Sequence, residues 1–323
     1  MIESILRRAG QSLVVLLLMS MLAFAGINMV GDPIQLLVPP NATPEDIAHA
    51  SKELGLDLPV HTQYAKFLRN AIHGELGNSF VANRPALGLI AERAPATVEL
   101  ALTALAISAL VGIPLGLLCG LKGDGPLRST VLAGSIVGVT VPTFWMSLLL
   151  ILIFAVNLGW FPSGGRGEPV MVFGVATSLG TLDGIRHIVL PALTLALFNT
   201  ALVIRLTEAG TRDVMGQEYI RFARAKGVGG VRLLLRHVAP NVLIPVVTAL
   251  GLEFGQLIAF SVVTESIFAW PGMGKLIIDS ILQLDRPVVV AYLLVTLVIF
   301  VVINFAVDAL YVVLDPRLRI KAR

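Results

Sequence analysis

Charge is scarce in this sequence: Asp, Glu, Lys and Arg make up 14% of its 323 residues, against about 25% in an ordinary soluble domain. With 56% apolar residues and a mean hydropathy of +0.85, too little polar material remains to cover a water-facing globule. Cysteine is scarcer still, and the single Cys119 excludes an intrachain disulfide. The five histidines, at 49, 61, 73, 187 and 237, show no metal-ligand spacing, which argues against a metal site. No Gly-x4-Gly-Lys-Ser/Thr loop occurs. Gly272-Met-Gly-Lys275 is the nearest approach and lacks both the spacing and the hydroxyl, so the chain does not bind ATP by that route. No Ser, Thr or Asp stands in a nucleophile context, and the sequence reads as non-catalytic.

What the chain has instead is apolar length. Runs near the roughly 20 residues needed to cross the hydrocarbon core fall at about 11–30, 97–120, 131–158, 187–206, 240–263 and 288–313. Backbone amides in lipid find no water, so these runs are expected as helices; the alternating ten-residue segments of a barrel are absent. The expected fold is all-α, a polytopic membrane protein with six transmembrane helices. Bases fix its orientation, because short basic loops stay cytoplasmic. Arg7 and Arg8, Lys122 and Arg128, seven bases between 205 and 236, and Arg317, Arg319, Lys321 and Arg323 all fall on one side. Both termini are therefore expected in the cytoplasm, and the sequence pI of about 9.2 reflects topology, not nucleic-acid binding. The first run also fits a cleaved signal peptide, with Ala23-Phe24-Ala25 as the cleavage region, although its apolar stretch continues through Val30.

Three segments follow: an N-terminal transmembrane helix over 1–30, an extracytoplasmic helical segment over 31–96, and a transmembrane core over 97–323. In the second, Thr43-Pro44-Glu45-Asp46 starts a helix that Gly55 ends. A further helix from near Pro59 puts Tyr64, Phe67, Leu68, Ala71 and Ile72 on one stripe before Gly74, to be covered by the spans or by another protein. In the core, a short cytoplasmic helix is expected near 216–228. It carries Tyr219, Arg221, Phe222, Ala223, Arg224, Ala225 and Lys226 and stops at Gly227. Phe222, Ala223 and Lys226 share a face, with Glu218 and Arg221 one turn apart on another. Two surfaces suit such a basic amphipathic helix: anionic lipid, or a groove on a soluble partner that buries Tyr219 and Phe222.

At this helix the sequence resembles a family. Ala223-Arg-Ala-Lys-Gly227, nine residues, then His237-Val-Ala-Pro240 is similar to the cytoplasmic coupling motif of ATP-binding-cassette importer permeases, with Ala223, Gly227 and Pro240 matching its fixed positions. Arg221, Phe222, His237 and Ala239 depart from the general pattern in the manner of the dipeptide/oligopeptide/nickel branch. Pro95-Ala-Thr-Val-Glu-Leu-Ala101, Val141-Pro-Thr-Phe-Trp145, Leu158-Gly-Trp-Phe-Pro162, Glu265-Ser-Ile-Phe-Ala-Trp-Pro-Gly-Met-Gly274 and Asp308-Ala-Leu-Tyr-Val-Val-Leu-Asp-Pro-Arg317 extend the likeness along the chain, closest to the dipeptide-permease B-type subunit. The resemblance implies type I importer architecture in a bacterial plasma (inner) membrane. It further implies a second, homologous permease, two cytoplasmic ATPases that hold ATP and Mg while this chain binds no cofactor, and an extracytoplasmic substrate-binding protein. Tyr219, Phe222, Arg221 and Arg224 would dock on an ATPase, and ATP-driven closure would flip the cavity.

Short peptides are the expected substrate, with glutathione, nickel chelates and sugars as alternatives within the branch. A proton-coupled secondary transporter is the competing class, because acids inside spans cost about 2.5–3.5 kcal/mol at the bilayer centre. Glu253, midway along the fifth run, is its candidate, but a role facing the translocation path and a substrate amine, or bonding a neighbouring helix, is favoured over proton coupling; Glu99 and Asp308 are expected near span ends where water reaches. Trp270, in the loop 264–287, either packs in a tight turn or lines the outer mouth.

Overall fold

The computed structural model describes residues 2–29, 43, 45, 52 and 58–314. The helix expected from Thr43 to Gly55, apart from isolated positions, and the basic tail from Arg317 lie outside the described residues. In chain order the helices are α1 (Ile2–Met29), α2 (Val60–Ile72), α3 (Ala86–Lys122), α4 (Pro126–Thr140) and α5 (Thr143–Leu150), which runs on as a π-helix over Ile151–Asn157. A hairpin of β1 (Val170–Val172) and β2 (Val175–Thr177) precedes α6 (Leu182–Met215) and α7 (Glu218–Ala225). The short α8 (Gly230–Leu233) continues through a π-turn (Leu234–Val238) into α9 (Ala239–Phe260), followed by α10 (Val262–Ile267), α11 (Met273–Leu282) and α12 (Arg286–Leu314).

Among the described residues, four stretches are long and apolar enough to cross a membrane unaided: Ala86–Lys122, Leu182–Met215, Gly230–Phe260 and Arg286–Val307. The third span expected over about 131–158 is a bent pair, Pro126–Thr140 and Thr143–Asn157, turning by 105°. Pro142 is the cause: it has no N–H to donate and drives the residue before it out of the α region. Val141 accordingly takes φ −82° and ψ 125°, and the helix restarts at Thr143. The first run lies within the 28-residue α1, whose described apolar stretch is Gly10–Gly26. The hairpin is an addition to the all-α expectation. Phe173 and Gly174 both have positive φ, 50° and 81°, as a two-residue turn matching strand twist requires.

The chain divides into two compact units. One holds residues 2–92 and 277–299. In it the stripe of α2 packs on α1: the rings of Tyr64 and Phe67 lie 5.5 and 5.6 Å from that of Phe24, and the Tyr64 hydroxyl meets Ser20 Oγ at 2.8 Å. Asp285 accepts from Ser79 Oγ and from the Phe80 amide at 3.0 Å, tying the turn after α2 to the start of α12.

The other unit holds residues 93–276 and the chain from Phe300 onward. Its central seam joins α3 to α6. Gly112, Gly116 and Gly120, spaced by one turn, meet Val203, Thr207 and Thr211 so closely that a Cβ on each would lie 2.7, 2.5 and 2.5 Å from them. Ser108 continues the seam by donating to Ala196 O at 3.1 Å. Small residues let helix backbones approach where lipid offers no hydrophobic drive, so dispersion contacts hold the pair.

Candidate functional site

Helix α7 is built by local rules. Gln217 enters in extended conformation, Glu218 places its charge at the positive end of the helix dipole, and the chain leaves through Gly227 at φ 80°. Val228 N bonds Ala223 O at 3.0 Å and Gly227 N bonds Arg224 O at 2.9 Å, a paired C-terminal closure that needs a left-handed residue at 227. Ile220 and Ala223, one turn apart, are buried in a cluster with Val203, Leu233, Val238 and Val242, so α7 is clamped against α6 and the start of α9.

The opposite face is open. Phe222 is 64% exposed and Tyr219 43%, with the Lys226 ammonium 4.8 Å from the Phe222 ring centre. Arg221 reaches Glu218 at 3.3 Å, the one-turn pairing that the sequence indicates. Arg224, Ala225 and Lys226 are exposed around them. The structure thus brings the sequence-derived residues onto one short helix, but divides them: Ala223 faces inward and the aromatics outward. Ile220, which anchors the helix, was missed; its spacing to Ala223 was the available signal. Behind α7, Glu208 near the end of α6 takes Arg128 Nε at 2.8 Å and Arg212 at 3.5 Å, while Asp124 meets both arginines at 3.2 Å. This brace between the 123–128 turn and α6 stiffens the platform on which α7 stands, and sequence reading did not find it.

Glu253 and Trp270 are not brought together in kind. Glu253 is half-buried on α9 and makes no hydrogen bond or ion pair among the described residues. Trp270 is fully buried: its indole N–H donates to Ala96 O at 2.9 Å and Arg166 stacks 5.7 Å from its ring centre. The segment around it is organised by Glu265, also fully buried. Its carboxylate accepts from Ser261 Oγ at 3.0 Å, Gly274 N at 2.7 Å and Lys275 N at 3.1 Å, capping the first turn of α11. Burial pushes this carboxyl above its ordinary range, against the pull of bonds from Thr97, Lys275, Ser261 and Gly274. A Cβ at Gly272 would stand 2.3 Å from the same carboxylate, which explains the glycine in Trp270-Pro-Gly272.

Glu99 corrects an expectation. It does not meet water but is buried, with Arg166 at 2.5 Å, Thr177 Oγ1 at 2.7 Å and Ser178 N at 2.6 Å. A buried carboxylate is tolerable only when so paired and bonded, and here it fixes the base of the hairpin.

Two family models match along the chain. Residues 112–320 match the binding-protein-dependent transport system inner membrane component, and residues 1–101 match the N-terminal membrane component of the same systems. The chain belongs to this permease family. It is therefore a multi-pass inner membrane permease, a non-catalytic subunit of the kind that works with ATPases and a binding protein. Among relatives of this permease, the oligopeptide transport system permease protein AppB of Bacillus subtilis is 38% identical over 316 residues, 97% of this chain and 98% of its own. The dipeptide transport system permease protein DppB of Escherichia coli K12 is 33% identical over 338 residues, 99% of this chain and 100% of its own. A chain of the MetNI methionine ABC transporter, solved in inward-facing conformations, shares the fold with TM-score 0.56 at 18% identity over 72% of the permease and 98% of that chain. The architecture is that of a type I ABC importer permease.

Proposed function

We propose that this permease pairs with a second, homologous permease and passes short peptides, received from an extracytoplasmic binding protein, into the cytoplasm. Two partner ATPases hold ATP and Mg and supply the work; this chain binds neither. Residues 1–30 are the N-terminal membrane helix, 31–96 an extracytoplasmic segment, and 97–323 the core that carries the path. Tyr219, Arg221, Phe222, Ala223, Arg224, Ala225, Lys226 and Gly227 form the coupling element, and Glu253 faces the path. Trp270 braces the segment at the mouth. The supporting observation is the two-sided character of α7. A helix of eight residues whose inner face is core and whose outer face presents Phe222 and Tyr219 transmits force as a rigid body and leaves two aromatic anchors for a groove. The peptide substrate is supported by relatives that span the whole chain and carry peptide-permease names.

The test is Phe222→Ala in the reconstituted complex. Membrane insertion should be unchanged, because the ring is mostly exposed and its cation partner Lys226 sits beside it at the end of the same short helix, while recovery of ATPase with the permease and binding-protein-stimulated ATP hydrolysis fall about tenfold or more. Undiminished assembly and coupled hydrolysis in Phe222→Ala combined with Gly227→Trp would falsify the docking role.

A further inference from the structure

Helix α9 has two faces. Val242, Val246, Leu250, Leu257 and Ile258 are buried along one side, and Gly251 and Gly255 seat α12 residues Val307 and Phe300. The other side, through Pro245, Leu252, Gln256 and Phe260, is open. At the edge of that open side stands Glu253, and one turn further along stands Gln256, a second polar side chain with no hydrogen bond among the described residues. Residues three apart on a helix have Cβ atoms about 5–6 Å apart, so the carboxylate and the amide can address one small group together. Both lie within a span. At 1.5 Å per residue, Glu253 is about 10 Å from the end of α9 at Phe260.

No hydrogen bond to this pair is made among the described residues, and lipid is an unfavourable neighbour for it. Its chemistry is specific: a carboxylate that only accepts, beside an amide that both donates and accepts. The complement is a cation next to a peptide group. We propose that Glu253 and Gln256 form a subsite for the α-ammonium end of the translocated peptide, Glu253 pairing with the ammonium and Gln256 bonding the adjoining peptide unit. The proposal rests on the peptide-importer reading above and adds which end of the substrate the permease holds and with what. One carboxylate and one amide make a weak site, as passage requires, because a substrate held tightly would not leave. A substrate without the cation would leave the carboxylate facing it uncompensated, so the subsite discriminates as well as attracts.

The experiment uses the complete importer, both permeases with their ATPases and binding protein, in proteoliposomes. Two radiolabelled substrates are compared: a free dipeptide and its desamino analogue, each first shown to load the binding protein. Glu253→Gln should lower kcat for uptake of the free dipeptide about tenfold with KM for the loaded binding protein unchanged, and leave uptake of the desamino analogue unchanged or improved. Glu253→Asp should retain the preference for the free amine, and Gln256→Leu should show a smaller loss of the same selectivity. Equal loss for both substrates, with or without loss of the partner permease on purification, would mean that Glu253 only supports structure or the subunit interface, and would overturn the subsite alone. Absence of ATP-driven uptake by the wild-type complex would remove the importer reading and the subsite with it.

Discussion

Ile220 and Phe222 stand two positions apart on α7 and carry opposite tasks. Full burial of Ile220 contributes about 1.5–3 kcal/mol toward seating the helix, whereas Phe222 is mostly exposed, lies outside that core, and is available to a partner. The sequence showed the outer half because aromatics in a charged run stand out. Ile220 looks ordinary by type, and only the contacts with Leu233 and Val242 reveal its part. Glu265 is a second residue whose type misleads, since a buried carboxylate at neutral pH reads as a liability until its four donors are seen. Its pKa is raised in the fold, so the folded state holds the proton more firmly than the unfolded state does. The stability that proton brings is complete below the unfolded value of about 4.3 and is lost as pH rises through the folded value. Glu265→Gln removes the dependence. The apparent Tm of wild type relative to Glu265→Gln, measured across that range on the purified complex, should therefore fall as pH rises and then level off. A difference independent of pH would show that the carboxyl titrates as it does in the unfolded chain.

At the level of elements, apolar run length located the long helices well. In lipid the backbone has no other way to satisfy itself, so length alone carries that information. What run length did not carry was direction. The break at Val141-Pro142 lies inside a continuous apolar run, and hydropathy averages over it although proline forbids the straight path. The hairpin at 170–177 escaped for the opposite reason: each strand has three residues, and its base is held by Glu99 and Arg166, far apart in sequence. The Gly112, Gly116 and Gly120 seam was not found from sequence, because glycines one turn apart do not say which helix they face. It supports a sharp prediction. Gly116→Leu must displace Thr207 or the Ile204 carbonyl, which already stand 2.5 and 2.7 Å from where a Cβ would be, so α3 and α6 are forced apart. Overpacking of this kind costs about 1–3 kcal/mol, and more for a large side chain against backbone. Gly134→Leu, on α4 with open space at its Cβ position, is the control. Melting of the purified permease should drop by several degrees for Gly116→Leu and stay within about one degree for Gly134→Leu. Equal melting would show that the seam has slack.

For the whole molecule, the decisive question is which side of the membrane α7 occupies, because a coupling element must face the compartment that holds ATP. Charge gives the expectation from sequence: seven bases between Arg205 and Arg236 outweigh every other inter-span segment and favour the cytoplasmic side. The structure supplies a pair of probes in one unit that makes the answer measurable. Phe173 at the hairpin tip and Gln217 at the entry to α7 are both exposed and are separated in sequence by a single crossing helix, α6. They must therefore lie on opposite sides, whatever the number of spans before them. Cys119 is buried, so a Cys119→Ala background gives a clean starting point at the cost of one small side chain. In that background, Phe173→Cys should react with a membrane-impermeant maleimide on intact spheroplasts, and Gln217→Cys should react only after permeabilisation. The reverse pattern would place α7 outside, where no ATPase could reach Phe222, and the coupling assignment would fall even though the fold stood.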